Sequence, residues 1–216
     1  TCSRELAKIV GTDGKIISVD KSSYYIKHIE NNLQNKYPQI IPICSSFEDL
    51  SLEPNSIDNM FCRWSLAWVQ NPNKIISKIK NYLKTGGKMV FHEYYDWSTH
   101  QIFPFNENID KCIKKALKSF KESDFEIDIG ATLPQLLYNM DFNIISTRLM
   151  PKLASPDSIE WNWPKTFYYN YFPKLVKMGY LNNSDTKEFF EDFKSLEKLH
   201  YARIFCPILI EIIAEK

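Results

Sequence analysis

The sequence predicts an α/β protein with a Rossmann-like, mostly parallel open sheet. In the first half of the chain, short apolar segments alternate with amphipathic, helix-like segments, which is the pattern of strands connected by helices. Near the C-terminus, two further apolar segments flank a long helical region, and this order predicts a final antiparallel strand pair with a helical insertion. A chain of 216 residues is long enough for one such domain.

A strand, a helix and a second strand are predicted in the middle of this alternation. Residues 57–62 and 89–91 are short apolar segments bounded by polar residues, as buried strands are. Between them, apolar side chains recur at helical spacing over residues 75–83. Because two strands joined by a helix almost always make a right-handed crossover, the strands are expected to be parallel.

Local signals predict where this helix begins and ends. Asn71 can cap the free backbone amides, and Pro72 suits the first helical position because its missing N–H would have had no partner there. The Gly86-Gly87 pair is expected to end the helix, since glycine accepts the left-handed conformation.

Polar and aromatic residues follow both strands. Arg63 and Trp64 come directly after the first strand, and residues 92–97 follow the second. Ligands of parallel sheets bind at the carboxyl ends of the strands. The sequence therefore places these residues together on one functional rim.

The remaining elements complete a single predicted domain over residues 1–216, with helical lid segments at about 98–140 and 155–200. Pro42 lies in a predicted strand, which indicates an edge position because proline cannot donate a ladder hydrogen bond. The predicted helices cover residues 3–10, 22–34, 109–121 and 130–140, with a largely helical region over 155–200. The other predicted strands cover residues 15–20, 39–43, 142–149 and 204–214.

Composition limits the partners. The net charge of +1 and a pI of about 7.5, without any basic block, argue against nucleic acid or an anionic membrane surface. No apolar run approaches the roughly 20 residues that cross a bilayer. The five cysteines are odd in number, widely spaced and free of CxxC pairs, so we expect reduced thiols, a cytoplasmic protein and no metal site. The oligomeric state is open.

Two positions in the first half of the chain are candidates for binding a nucleoside. Asp20 ends a predicted strand, where a carboxylate can accept hydrogen bonds from both hydroxyls of a ribose; it can equally cap the following turn. Ser46 and Phe47 follow the next strand, where they could contact an adenine, or form a polar turn with one buried ring.

The rim residues are candidates for the chemistry. Arg63 could line a pocket or pair with Glu93. His92 or Glu93 could act as a general base if the site tunes its pKa, although both could simply belong to a buried or solvated strand end. Aromatic rings can hold a cation through their faces, and the candidates for such contacts are Tyr94, Tyr95, Trp97 and Trp163.

Three segments together resemble the class I S-adenosylmethionine-dependent methyltransferases of the small-molecule type. They are IISVDKS, SSFEDLSLEPNSIDNMFCRWSL and NYLKTGGKMVFHEY. The resemblance implies that this protein transfers a methyl group from S-adenosyl-L-methionine, in line, to a small-molecule acceptor. Nucleic acid and membrane are not expected as partners.

The resemblance also implies roles for individual residues. Asp20, with Lys21, would bind the ribose hydroxyls, and Ser46 and Phe47 would contact the adenine. Arg63, with Trp64, would lie beside the methionine part of the cofactor. The acceptor would be surrounded by residues 92–97 and the helical segments, with His92 or Glu93 as the base and Tyr94, Tyr95, Trp97 and Trp163 as contacts.

The sequence departs from this family in one place, because no glycine-rich loop after a first strand is present. We expect that strand and loop to lie upstream of residue 1. Two other functions are compatible with the pattern. A nicotinamide-dependent oxidoreductase would also use the acid at Asp20, and a methyltransferase-like protein without activity would use the same pocket for binding.

Overall fold

The computed structural model describes residues 2–216 and confirms the predicted α/β class. The chain forms two compact units, one up to Glu53 and the other from Pro54 to Lys216. Each unit combines helices with at least one parallel strand pair.

The first unit is a two-stranded parallel sheet with two helices. Its strands pair so that Asp20 lies opposite Cys44 at their carboxyl ends. Pro42 lies within the second strand, which has one described neighbour in its sheet, so the predicted edge position is confirmed. The elements are α1 (Cys2–Val10), β1 (Ile16–Asp20), α2 (Ser23–Asn32) and β2 (Ile40–Cys44).

The predicted strand–helix–strand unit opens the second unit. It consists of β3 (Ile57–Arg63), α3 (Pro72–Tyr82) and β4 (Leu83–Asp96), and the two strands are parallel as predicted. The Asn71 side chain accepts a hydrogen bond from the Lys74 backbone N–H at 3.0 Å, which confirms the predicted cap.

The predicted end of α3 at Gly86-Gly87 is wrong. The helix ends at Tyr82, and both glycines lie inside β4. Gly86 has a φ of 76°, and its N–H donates to the carbonyl oxygen of Lys216 at 3.0 Å. A Cβ atom on Gly87 would lie 2.8 Å from the carbonyl oxygen of Asp58. The pair therefore permits a bend and a close backbone approach within the sheet, which is the other use of glycine in a strand.

The main sheet of the second unit has the strand order β3-β4-β9-β6, where β6 is Asn143–Met150 and β9 is Ile208–Glu215. Strand β9 is antiparallel to both neighbours, which confirms the predicted antiparallel pair. The predicted single strand over residues 204–214 is divided at Cys206 and Pro207 into two strands. Its first part, β8 (Arg203–Phe205), pairs with β5 (Gln101–Phe103) and β7 (Leu153–Ala154) in a three-stranded sheet that the sequence did not predict.

The predicted helical segments of the second unit form their own aromatic core. Tyr168, Phe172, Phe189 and Phe193 are fully buried in it, beside Trp161. The helices are α4 (Glu107–Lys121), α5 (Ile129–Tyr138), α6 (Asn162–Lys177) and α7 (Asn183–Leu196), with 3₁₀ turns at Leu66–Trp68, Trp97–Thr99 and Ile159–Trp161. No helix within residues 2–216 has both the length and the apolar composition needed to cross a membrane.

Helix α5 packs directly against the main sheet through Gly130. A Cβ atom at this position would lie 2.6 Å from the Tyr94 carbonyl oxygen and 2.6 Å from Cγ2 of Ile210. Because one contact is with backbone, the helix or the strand would have to move to accept a side chain.

We therefore expect Gly130→Ala to lower the free energy of unfolding by about 1–3 kcal/mol, the usual cost of overpacking a core. Urea denaturation followed by circular dichroism measures it. Ala131→Ser, at the next and exposed position, serves as the control and should change stability by less than about 0.5 kcal/mol. Equal stability of the two variants would contradict the close approach.

Candidate functional site

Asp20 and Lys21 lie at the carboxyl end of β1 in the first unit. Asp20 Oδ1 accepts a hydrogen bond from the Ser22 backbone N–H at 2.8 Å, and the Asp20 carbonyl accepts one from Ser45 at 3.1 Å. The side chain thus holds the turn after the strand with one oxygen, while Oδ2 remains for another donor. The Lys21 side chain is exposed.

Ser46 and Phe47 follow β2 at the same end of this parallel pair. The Ser46 hydroxyl donates to Asp49 Oδ2 at 2.7 Å and accepts the Asp49 backbone N–H at 3.1 Å. Phe47 is half-buried in the same turn. The hydroxyl therefore stabilises the turn, which is the structural alternative to a direct contact with adenine.

The rim of the second unit is where the sequence predicts it. Arg63 lies opposite His92 in the register of β3 and β4, and the Trp64 backbone N–H donates to the His92 carbonyl at 3.0 Å. Trp64 has a φ of 53°, in the left-handed region that bulky residues rarely adopt. The Arg63 guanidinium lies 4.0 Å from the centre of the Trp64 ring.

His92 and Glu93 lie on opposite faces of β4, because successive side chains of a strand alternate. The His92 Nε2 atom lies 2.9 Å from Glu211 Oε2, and its ring packs edge-on against Phe61 at 5.0 Å. Arg148 donates two hydrogen bonds to the other oxygen of Glu211. The hydrogen bond from His92, reinforced by Arg148, lowers the pKa of Glu211.

Glu93 is buried below the turn that follows β3. Its Oε1 accepts backbone N–H groups from Ser65 at 2.9 Å and Leu66 at 3.1 Å, and the Cys62 thiol at 3.6 Å. Burial raises the pKa of Glu93, and this effect is larger than the opposite effect of the hydrogen bonds, which lower the pKa. The sequence left two interpretations of Arg63, a residue that lines a pocket or one that pairs with Glu93. Within residues 2–216 no ion pair joins Arg63 to Glu93, so the structure does not contain the second arrangement.

Aromatic rings from the rim and the lid helices form one connected group, which we call the rim aromatic cluster. The Trp64 ring lies parallel to Tyr94, with centres 5.9 Å apart, and near-parallel to Trp163 at 5.1 Å. Trp97 contacts Tyr94 at 5.2 Å and joins the helices. The cluster consists of Trp64, Tyr94, Trp97, Phe120, Trp163 and Phe167.

The cluster includes three of the four predicted acceptor contacts. Tyr94, Trp97 and Trp163 belong to it, whereas the Tyr95 ring is 39% exposed and lies outside it. A register shift between β4 and β9 occurs at this residue, as in a β-bulge that reorients neighbouring side chains. Phe120 and Phe167 were not among the predicted acceptor contacts. In the sequence each belongs to the apolar face of a helix, and such a face does not show whether a side chain packs in the core or borders a site.

Three polar atoms around this cluster are buried and, among residues 2–216, have no hydrogen-bond partner. They are Trp64 Nε1, Trp97 Nε1 and Glu93 Oε2. An unpaired buried donor is costly, so the two indole N–H groups are suited to an acceptor oxygen supplied by a ligand or by water.

His100 connects the rim to helix α6. Its Nδ1 lies 3.0 Å from the Phe205 carbonyl oxygen, and its Nε2 contacts the Tyr168 hydroxyl. A neutral ring satisfies both contacts, with Nδ1–H donating and Nε2 accepting from Tyr168. Burial lowers the pKa of His100 to about 4.

The N-terminal part of the chain matches a family model. Residues 2–91 match the family model described as a methyltransferase domain, a range that includes Asp20, Ser46 and Arg63. No curated protein matches the chain.

Solved structures resemble the whole chain. A Bacillus halodurans protein named as a candidate methyltransferase has a TM-score of 0.59 at 13% identity, covering 94% of this chain and 83% of that chain. Phosphoethanolamine N-methyltransferase 2 of Haemonchus contortus, in complex with phosphomonomethylethanolamine and S-adenosylhomocysteine, has a TM-score of 0.57 at 17% identity, covering 99% and 46%. A Galdieria sulphuraria protein named as a candidate sarcosine dimethylglycine methyltransferase has a TM-score of 0.53 at 13% identity, covering 94% and 69%.

The architecture is therefore a Rossmann-like α/β fold of the kind that solved methyltransferases have. The methyltransferase-domain match over residues 2–91 agrees with this likeness and with the resemblance seen in the sequence. At these identities, the structural likeness establishes the fold.

The buried His100 makes stability depend on pH. Its pKa is about 4 in the folded protein and about 6.5 in the unfolded chain, so the unfolded chain binds the proton first as pH falls. The stabilisation is complete above about pH 6.5 and is lost towards pH 4. We expect His100→Gln to flatten the slope of unfolding free energy against pH in this window by up to about 1.4 kcal/mol per pH unit.

Urea unfolding at pH 4.5–7 measures this slope. His200→Gln, which changes an exposed histidine, is the matched control and should keep the slope of the unmodified protein. If His100→Gln also keeps that slope, the imidazole is not held neutral by burial.

Proposed function

We propose that this protein is an S-adenosylmethionine-dependent methyltransferase that acts on a small-molecule acceptor. The observation that carries this proposal is the methyltransferase-domain match over residues 2–91. It covers the strand ends that bear Asp20, Ser46 and Arg63. The structural neighbours support the proposal, since two of them are named for methyl transfer to small amines.

The first unit fits the adenosine part of the cofactor. Asp20 Oδ1 is held by the Ser22 amide, which fixes the carboxylate and leaves Oδ2 for a ribose hydroxyl. A charged acceptor forms a stronger hydrogen bond with a hydroxyl than a neutral one does. Lys21, Ser46 and Phe47 would complete the contacts at this end of the parallel pair.

Within the second unit by itself, Arg63 and Trp64 are proposed, from the family resemblance, to contact the methionine part of S-adenosylmethionine. The Arg63 side chain is exposed, and its guanidinium lies 4.0 Å from the centre of the Trp64 ring. A guanidinium held in this way can bind a carboxylate through its N–H groups. S-adenosylmethionine, when bound, supplies a methyl group on a sulfonium that is itself a good leaving group.

The chain's own contribution is then to hold the acceptor in line and to exclude water. The rim aromatic cluster suits both tasks, because Tyr94 and Trp97 are buried and Trp163 stacks on Trp64. We propose that a site bounded by these rings takes a small, partly apolar molecule. The two unpaired indole N–H groups supply donors for an oxygen of that molecule.

Where the acceptor must lose a proton, we assign the base to His92. The Glu211 carboxylate holds one ring nitrogen, Nε2, at 2.9 Å, which orients the imidazole and leaves Nδ1 for a substrate. Glu93 is a weaker candidate because its carboxyl group is covered by the turn above it.

The setting of the reaction is proposed from composition. All five cysteines are free thiols, as in proteins of a reducing compartment, and we place the protein in the cytoplasm. A net charge of +1 supports a small molecule rather than nucleic acid or an anionic membrane as the partner.

Asp20→Asn tests the cofactor. Asparagine can still accept the Ser22 amide and keep the turn, but it offers the ribose a neutral acceptor. We expect the affinity for S-adenosylhomocysteine, measured by calorimetry, to fall about tenfold or more, corresponding to the 1.5–3 kcal/mol typical of a charged hydrogen bond.

Asp13→Asn, in an exposed turn of the same unit, is the control and should bind like the unmodified protein. Unchanged affinity of Asp20→Asn would remove the proposed ribose contact. A parallel titration with NAD separates the oxidoreductase alternative, and binding of neither ligand would exclude both cofactor-dependent functions for this chain.

Trp163→Leu tests the acceptor site. With labelled S-adenosylmethionine and a panel of small amines, including phosphoethanolamine and sarcosine, we expect transfer to at least one acceptor. The variant should lower that transfer about tenfold, because it removes a stacked aromatic wall, while S-adenosylhomocysteine affinity stays the same. Tyr95→Leu is the control outside the cluster, and equal rates in the two variants would separate the cluster from the acceptor.

A further inference from the structure

Glu93 has a setting unlike that of any other acid in the chain. Among the acidic residues in 2–216, it alone is fully buried, with 0% of its surface exposed. A buried carboxylate is unfavourable unless hydrogen bonds compensate for its lost hydration. The partners of this carboxylate therefore indicate what it does.

Those partners belong to the turn that links β3 to the 3₁₀ turn Leu66–Trp68. Glu93 Oε1 accepts the consecutive backbone N–H groups of Ser65 at 2.9 Å and Leu66 at 3.1 Å. These amides lie beyond the last ladder bond of β3, from Trp64 to the His92 carbonyl, so they have no strand partner. The side chain takes the place of a neighbouring strand and satisfies two donors that would otherwise be unpaired.

The same turn carries an unfavourable backbone conformation. Trp64 has a φ of 53°, where a bulky side chain is strained, and it directly precedes the two bound amides. Such a conformation persists only where the surroundings hold it. In this conformation the Trp64 ring lies parallel to Tyr94, within 5°, and stacks on Trp163 at 5.1 Å.

A general base would need different geometry. It must reach the proton that it removes, either directly or through one water. Glu93 Oε1 is already shared by Ser65, Leu66 and the Cys62 thiol, and Oε2 is buried without a partner among residues 2–216. The contacts of Oε1 require only an acceptor oxygen, which a neutral carboxamide also provides.

We propose that Glu93 is a positioning residue, which fixes the Trp64 ring as a wall of the acceptor site by binding the amides of Ser65 and Leu66. The part played by Trp64 rests on the proposed function, whereas the contact between Glu93 and the turn does not. Glutamine at this position keeps the acceptor oxygen and abolishes base chemistry. Alanine removes the acceptor, and aspartate keeps the charge but shortens the reach by one methylene.

The test uses the full chain labelled with 5-fluorotryptophan and observed by ¹⁹F NMR, together with amide hydrogen exchange. Trp64→Phe assigns the Trp64 resonance. Trp161, which is buried in the helical core and donates to Glu197, serves as the internal control for folding. Glu211→Ala, which removes an acid from the opposite face of the sheet, is the matched control variant.

We expect Glu93→Gln to keep the Trp64 resonance and the exchange rates of the Ser65 and Leu66 amides within about twofold of the unmodified protein. Glu93→Ala should displace the Trp64 resonance and accelerate both amides about tenfold or more, while the Trp161 resonance stays in place. Glu211→Ala should change neither signal.

Two results would overturn the proposal: an undisplaced Trp64 resonance with protected amides in Glu93→Ala, or loss of both in Glu93→Gln. If the Trp161 resonance shows that Glu93→Ala does not fold, Glu93→Asp decides, and it must show the displaced resonance. None of these signals depends on S-adenosylmethionine, so a failed cofactor titration and a failed positioning role are separate outcomes.

Discussion

Parallel pairing between β3 and β4 determines where every polar residue of the rim lies. Helix α3 connects the two strands, and their register sets Arg63 opposite His92 at the carboxyl ends. The ladder between these two strands ends one residue later, with the bond from the Trp64 N–H to the His92 carbonyl, whereas β4 stays paired with β9 up to Asp96. The turn after β3 therefore needs hydrogen-bond acceptors that the sheet does not supply.

The protein meets that demand with a buried acid and with aromatic packing. Glu93 supplies the acceptor that β3 loses at its end, and rings of the rim aromatic cluster stack on the Trp64 side chain at the same place. Both arrangements restrict the conformational freedom of the turn and give it a defined geometry, which the proposed methyl transfer would require. On the face of β4 opposite Glu93, His92 is part of a chain of polar contacts with Glu211 and Arg148.

Much of the fold could be predicted from local sequence patterns. Strand and helix periodicity, the Asn71 cap and the order of elements predicted the parallel unit and the final antiparallel pair, and the structure confirms them. The same reasoning misplaced the end of α3, since a glycine pair ends helices and bends strands equally well. It also missed the strands of two or three residues, which are too short to show periodicity.

The candidate site was predicted less completely, because a site depends on which side chains meet. Of the four aromatic residues that the sequence proposes as acceptor contacts, Tyr94, Trp97 and Trp163 meet in one cluster, whereas Tyr95 lies at the surface beside a register shift. The sequence could not reveal that the lid contributes Phe120 and Phe167.

By itself, the sequence determined the class of fold, the order of the longer strands along the chain and the residues that follow them, since these depend on local hydrophobic patterning and capping. Only the tertiary structure decided that His92 contacts Glu211, and that Glu93 binds a turn instead of Arg63. Those outcomes depend on contacts between residues about 30 to 120 positions apart, and no local pattern encodes them.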